Sequence, residues 1–376
     1  MRRYLTGGAV RDQLLGRAAA DRDWLLTGTN AAALESAGYR PVGKGFTAFL
    51  HPHSNEEYAL PRGPAEVRGE LETVTADLAR RDLTVNSMAL SESGELIDPF
   101  GGVQDLNDRV LRHTSSYFSD DAVRVLRVAR LSAKLDFTIA AETLELCQQL
   151  CEQGQLHALP SERIAQELLR ALCGPNPARF LDSLKQLGIA KHLLPELNNF
   201  FLNQGDGLLR RPEQLACALR AAATQGLNEI QRYALFAQGA GATAVDASMH
   251  KRLGVPNAHM RLAQSLCVTH AVLRRGRSSP AEEFYTALHR AGVFSTDSSL
   301  AALLECIAAC DISSQANSEN WADSADWAHA AARAAVAVTS AKVVNKYAHS
   351  NLPAPSGQAL GDALRAERTA AIAALA

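Results

Sequence analysis

The chain of 376 residues carries 38 Lys+Arg against 40 Asp+Glu, a formal charge of -2, with 47% hydrophobic and 21% charged residues. That is ordinary globular composition, enough for two or three domains and too apolar for a disordered chain. No uninterrupted apolar stretch reaches bilayer length, and the apolar run of MRRYLTGGAV is too short for a signal segment, so a cytoplasmic protein without a membrane partner is expected.

In chain order, the first hundred residues predict mixed α and β structure. Tyr4-Leu5-Thr6 has strand composition and runs into Gly7-Gly8, after which a short amphipathic segment closes at Gly16. Asp23 to Thr27 reads as a strand, Ala31 to Ala37 as a short helix stopped by Gly38, and Ala48–Leu50 and Tyr58–Leu60 as strands. Residues 61–77, with Pro61, Gly63, Pro64 and Gly69, read as a mobile connection. Leu83 to Leu90 reads as helical, and Glu95 to Asp98 as a last short strand. Beyond residue 118 strand signals vanish and helical spacing dominates, with Ser313 to Asp326 read as a polar loop. The fold class is therefore α+β: a small mixed-sheet head followed by an all-α neck and body.

Seven cysteines without regular spacing fit thiols in a reducing compartment. Cys147 and Cys151 lack a second Cys/His pair at zinc spacing, and His51 and His53 suit a polar turn better than a metal. The 31 arginines against seven lysines fit a GC-rich coding bias, which also enriches alanine. They equally supply the rigid fork that binds phosphates and base edges.

Four segments carry chemistry. Gly7-Gly8-Ala9-Val10-Arg11-Asp12 follows a strand and opens a helix, where glycine permits close approach of a phosphate, although most Gly pairs there are only tight turns. In Asp21-Arg22-Asp23 strand geometry turns both carboxylates to one face, a hard-oxygen pair suited to Mg²⁺, whereas an isolated D-x-D is more often a solvated turn. Arg80-Arg81-Asp82-Leu83-Thr84-Val85-Asn86 combines cations with groups that hydrogen-bond a ribose hydroxyl, or is a capped helix start. In the run from Asp120 to Lys134, helical spacing places Arg124, Arg127, Arg130 and Lys134 in one sector beside an apolar face. That is usually a solvated surface, and it also suits a triphosphate and base.

These segments in this order, with IDPFGG at 97–102 and SERIAQE at 161–167, resemble the class II tRNA nucleotidyltransferases, the CCA-adding enzymes of bacteria. The resemblance covers residues 1–170 and weakens beyond. It implies a palm-like nucleotidyltransferase head at 1–117, a nucleotide-recognising helical neck at 118–174 and a tRNA-binding helical body at 175–376. It implies that Asp21 and Asp23 hold Mg²⁺ for catalysis and that Gly8 and Arg11 contact the incoming triphosphate. Arg81, Asp82 and Asn86 would lie by the sugar. Asp121 and Arg124 would pair with the base edges of CTP and ATP, and Arg127 and Arg130 would bind the nucleotide nearby.

The implied reaction is template-independent addition of C, C and A to tRNA, by in-line attack of the RNA 3′-hydroxyl with release of pyrophosphate. No protein partner is implied. The chain departs from the family in Asp120, where Glu is usual, and in a shorter connection at 61–77. No His-Asp dipeptide is present, so an HD phosphohydrolase domain is not expected. A poly(A) polymerase, a CC-only enzyme and an inactive RNA-binding protein stay open as alternatives. Arg274, Arg275 and Arg277 are either tRNA backbone contacts or a solvated helix end.

Overall fold

The computed structural model describes residues 1–18, 22–42, 48–54, 56–62, 69–203, 209–239, 247–314, 319–349 and 353–375. The chain divides into two compact units, one comprising residues 1–159 with 186–192, the other residues 160–185 with 193–376.

The first unit is built on a seven-stranded sheet. Its strands are β1 (Arg2–Thr6), β2 (Asp23–Thr27), β3 (Arg40–Val42), β4 (Ala48–Leu50), β5 (Glu57–Ala59), β6 (Ala89–Ser91) and β7 (Leu96–Ile97). They lie in the order β3-β4-β5-β2-β1-β6-β7, antiparallel throughout except for β2 beside β5. Helices α1 (Gly8–Leu14), α2 (Ala31–Ser36) and α3 (Glu70–Ala79) join the strands. Alternation along the strands divides the apolar side chains into two cores. Tyr4, Leu25 and Ala89 pack with Val74 and Leu78 of α3. On the other side Leu26, Phe49 and Tyr58 pack with Leu34 of α2. A one-residue slip of β2 would exchange Leu25 with Leu26 and break both cores.

Residues 61–77 are thus not all connection: α3 begins at Glu70, while 63–68 lie outside the described residues. The helix predicted over 83–90 is also corrected. The chain there makes one 3₁₀ turn over Thr84–Asn86 and then enters β6. The physical reason is competition for backbone partners. The Thr84 N–H donates to Arg112 O (2.9 Å), the Thr114 N–H donates to Asp82 O (3.2 Å), and residues 89–91 pair with β1.

The same unit continues through α4 (Gly102–Asp108), β8 (Val110–Leu111), α5 (Val123–Leu135), β9 (Thr138–Ile139) and α6 (Ala141–Glu152). The two-residue strand β9, paired with β8, departs from the expected all-α neck. Helix α5 follows its predicted pattern, with Val125, Leu126, Val128, Ala129 and Leu135 buried and the basic stripe on its other side.

Among the described residues the second unit is helical. It opens with α7 (Ser161–Leu172) and α8 (Pro177–Gln186); α9 (Ile189–Leu193) is counted almost wholly with the first unit, and the second resumes with α10 (Pro195–Leu202), α11 (Pro212–Thr224) and α12 (Glu229–Gln238). The series continues with α13 (Ala247–Leu253), α14 (Asn257–Arg275), α15 (Ala281–Arg290) and α16 (Leu300–Ser314). It closes with α17 (Glu319–Val336), α18 (Ser340–His349) and α19 (Gly357–Ala373). The polar loop predicted over 313–326 is corrected for 319–326, which form the first two turns of α17, where Ser324 is buried. No helix among the described residues is long and apolar enough to cross a membrane.

Candidate active site

The turn between β1 and α1 is set by Gly7, whose φ of 70° and ψ of -135° suit only glycine. A Cβ at Gly7 would lie 2.9 Å from Nη1 of Arg81 and 4.0 Å from Oδ2 of Asp23. The missing side chain thus lets a cation and a carboxylate approach the same backbone. Asp23 opens β2 and is exposed; Asp21 lies outside the described residues.

Glu57, absent from the sequence reading, stands beside Asp23 in the parallel register of β2 and β5. Burial pushes the Glu57 carboxyl up, and the charge of Asp23 pushes it further. Two acids that repel across adjacent strands favour a cation between them. Strand pairing was the missing signal, since nothing in the linear sequence aligns position 57 with position 23.

Around the turn the predicted residues form one connected chain of ion pairs and hydrogen bonds. Lys134 Nζ lies 3.6 Å from Asp12 Oδ2, and Asp12 Oδ1 accepts from Arg11 Nε at 2.8 Å. Arg11 Nη1 donates to Asn86 Oδ1 (2.5 Å), and Asn86 Nδ2 donates to Asp82 Oδ1 (3.0 Å). Arg127 Nε donates to Asp82 Oδ2 at 2.7 Å. Arg127 and Lys134 both belong to α5, so the chain leaves that helix and returns to it two turns later. Arg11 is 4% exposed, its guanidinium held between Asp12 and Asn86. Burial alone would raise the Asp82 carboxyl, but Arg127, Asn86 and the Leu83 N–H outweigh it and hold it at about 2. Asp82 is therefore an anion at every physiological pH.

Arg124 turns elsewhere. It donates from Nη1 to Tyr117 O (2.5 Å) and from Nη2 to Arg80 O (2.6 Å), and burial lowers its pKa. The Arg80 guanidinium lies 4.2 Å from the Tyr117 ring centroid, so the start of α5 and the end of α3 are held together. Asp121 accepts from the Val123 N–H at the entry to α5 (3.1 Å). Gly8 lies 3.3 Å, measured from its would-be Cβ, from Arg11 Nη2. Arg130 is half-buried on the stripe of α5.

The IDPFGG segment supports this assembly from below. Asp98 accepts the Gly102 N–H at 2.7 Å and the Val103 N–H at 2.9 Å, which satisfies the first turn of α4. Gly101 takes the left-handed conformation at φ 73°, and a Cβ on Gly102 would press into the Thr84 carbonyl oxygen. Thr84 in turn donates to Asp105 Oδ2 (2.6 Å). Elsewhere, His51 Nδ1 accepts from the His53 and Ser54 N–H groups, so that pair makes a turn. Arg274 pairs with Asp311 and Arg275 with Glu283, each at 2.6 Å.

Comparison with known proteins agrees with this architecture. A family described as the Poly A polymerase head domain matches residues 3–112, and a second, described as the probable RNA and SrmB-binding site of polymerase A, matches 136–201. Residues 3–112, which hold the seven-stranded sheet, thus match a head domain of the poly(A) polymerase type. A multifunctional CCA protein of Leptothrix cholodnii is 41% identical over 309 residues, 72% of this chain and 73% of that relative.

The chain belongs to the family of class II CCA-adding proteins. Among solved structures, the Bacillus stearothermophilus CCA-adding enzyme in complex with CTP has a TM-score of 0.69 at 24% identity. That likeness covers 99% of this chain and 89% of the other. The Thermotoga maritima CCA-adding enzyme complexed with tRNA has a TM-score of 0.65 at 22% identity, covering 99% and 87%. These two likenesses describe the fold.

Proposed function

We propose that the protein adds C, C and A in turn to the 3′ end of tRNA, drawing on CTP and ATP, releasing pyrophosphate and acting in the cytoplasm. The observation that carries this reading is the convergence of Asp23 and Arg81 over Gly7, beside the chain of Arg11, Asn86, Asp82 and Arg127. The names of the CCA-protein relative and of the tRNA-bound structural neighbour supply the substrate.

The carboxylates of Asp23 and Glu57, opposite one another on parallel strands, are oxygen donors that fit a hard divalent cation. Asp21 and Asp23 would hold Mg²⁺, which when bound supplies charge neutralisation at the reacting phosphate and activation of the attacking hydroxyl. The remaining work falls to this chain's own groups. The Gly7–Gly8 turn leaves room for the triphosphate, with Arg81 Nη1 beside it as a cationic donor and Arg11 against Gly8. Asp82 and Asn86 would lie by the sugar and, through their acceptor and donor groups, favour a ribonucleotide.

Asp121 and Arg124 would read the base. A carboxylate accepts from the exocyclic amine that cytosine and adenine carry, and a guanidinium donates to the adjoining ring nitrogen. A guanidinium carries five N–H donors, so Arg124 can donate to a base edge while Tyr117 O and Arg80 O hold two of them and fix its orientation. Arg127 and Arg130 extend the cationic side of the site. Catalysis belongs to residues 1–117, nucleotide recognition to 118–174 and tRNA binding to 175–376 in this reading.

Replacing Asp23 with Ala tests it directly. Transfer of labelled CMP to tRNA lacking its 3′ end falls by several orders of magnitude, while tRNA binding in a gel-shift assay changes less than about twofold. Undiminished transfer by the purified variant contradicts the assignment.

A further inference from the structure

Asp77 is a buried carboxylate that the nucleotide site, as described so far, does not use. It lies on α3 with 1% exposure and serves two segments at once. Its Oδ2 accepts from Arg81 Nε (3.2 Å) and Nη2 (3.1 Å), and its Oδ1 accepts from the Arg62 backbone N–H (3.1 Å). The Arg62 guanidinium lies 3.9 Å away on the same oxygen. Arg81 Nη2 also donates to Thr6 Oγ1 at 2.9 Å, one residue before Gly7.

A guanidinium is a planar fork, and fixing two of its nitrogens fixes the third. With Nε and Nη2 committed to Asp77 and Thr6, Nη1 is left pointing at the Gly7 turn, where a Cβ would touch it. A free arginine at this place would sample many rotamers and give up that freedom only on binding. Arg81 lies beyond Arg80, the C-terminal cap of α3, so the pair is no ordinary surface bridge along one helix.

We propose that Asp77 is a positioning residue that presets Arg81 for the incoming triphosphate, with Thr6 as the second fixed point of the same guanidinium. The proposal rests on the nucleotidyl-transfer reading above and deepens it. It touches no nucleotide itself.

The test measures steady-state extension of tRNA lacking its 3′ end by wild type, Asp77→Asn, Arg81→Ala and the double variant. Asn keeps an acceptor for the Arg62 N–H but turns an amide donor toward Arg81. Asp77→Asn raises KM for CTP about tenfold, the size of one lost charge-assisted hydrogen bond, and leaves KM for tRNA unchanged. In the Arg81→Ala background the same change raises KM for CTP no further. Unchanged KM for CTP, a loss confined to kcat and active fraction, or an equal effect in both backgrounds overturns the proposal. Should Asp77→Asn fail to fold, Thr6→Val removes the other fixed point and raises the same KM; an unchanged KM there also overturns it. A wild type that extends no tRNA overturns the reading beneath, whereas an active wild type with indifferent variants overturns this step alone.

Discussion

At the scale of single residues, four side chains singled out from sequence, Arg11, Asn86, Asp82 and Arg127, bond to one another in series. Arg11, Arg81 and Arg127 each meet a carboxylate, on Asp12, Asp77 and Asp82. Sequence spacing disclosed which residue types belong to the site, because the motifs are local. It did not disclose their partners: Asp77, Glu57 and Lys134 enter through α3 packing, strand register and two turns of α5, all products of tertiary structure. Asp82 carries a testable pH signature. Its folded pKa of about 2 lies below that of an unfolded aspartate, so its contribution is fully present above about pH 4 and is lost as pH falls toward 2. That amounts to about 2 kcal/mol. Thermal melts of wild type and Asp82→Asn therefore differ most at neutral pH and converge on acidification toward pH 2. Curves that stay parallel from pH 7 to pH 2 contradict the ion pair with Arg127.

At the scale of elements, local pattern served where one face of an element is buried and failed where backbone partners decide. Helix α5 was legible because its stripe of Val125, Leu126, Val128 and Ala129 repeats at helical spacing. The segment 83–90 was misread as helix because its apolar positions suit either period, and the hydrogen bonds to residues 112–114 and to β1 decide for a turn and a strand. Residues 319–326 were misread as loop because polar composition conceals a helix whose support comes from neighbouring helices. The IDPFGG turn shows the converse: a motif noticed by resemblance proves to have a plain steric role. Gly102 sits against the carbonyl of Thr84, so Gly102→Ala destabilises the fold by about 2 kcal/mol through overpacking and displaces the turn that carries Asp82 and Asn86. Denaturant titration with a shift below about 0.5 kcal/mol would show that the contact relaxes freely.

At the scale of the whole molecule, the near-zero charge and the arginine excess have one explanation. Arginines are matched to acids in both units, by Asp12, Asp77, Asp82 and Asp105 in the first and by Glu196, Glu283 and Asp311 in the second. The net charge thus says little about nucleic-acid binding, which depends on how cations are distributed. The cysteines divide likewise by burial. Cys147, Cys151, Cys306 and Cys310 are buried, and burial raises all four thiols, Cys151 to about 12. A thiol reagent at neutral pH therefore modifies only Cys173, Cys217 and Cys267 in the native protein and all seven cysteines after unfolding. Fast labelling of Cys147 or Cys306 without unfolding contradicts this packing.

Addition of C, C and A by one protein is tested most directly by the length and sequence of the product. Purified protein is incubated with Mg²⁺ and tRNA lacking its 3′ end, with CTP, ATP, UTP or GTP singly and then with CTP and ATP together. Two C residues are expected from CTP alone, a completed CCA from the pair, and no extension by UTP or GTP. A run of A residues, arrest at CC in the presence of both nucleotides, or no extension at all would contradict this activity.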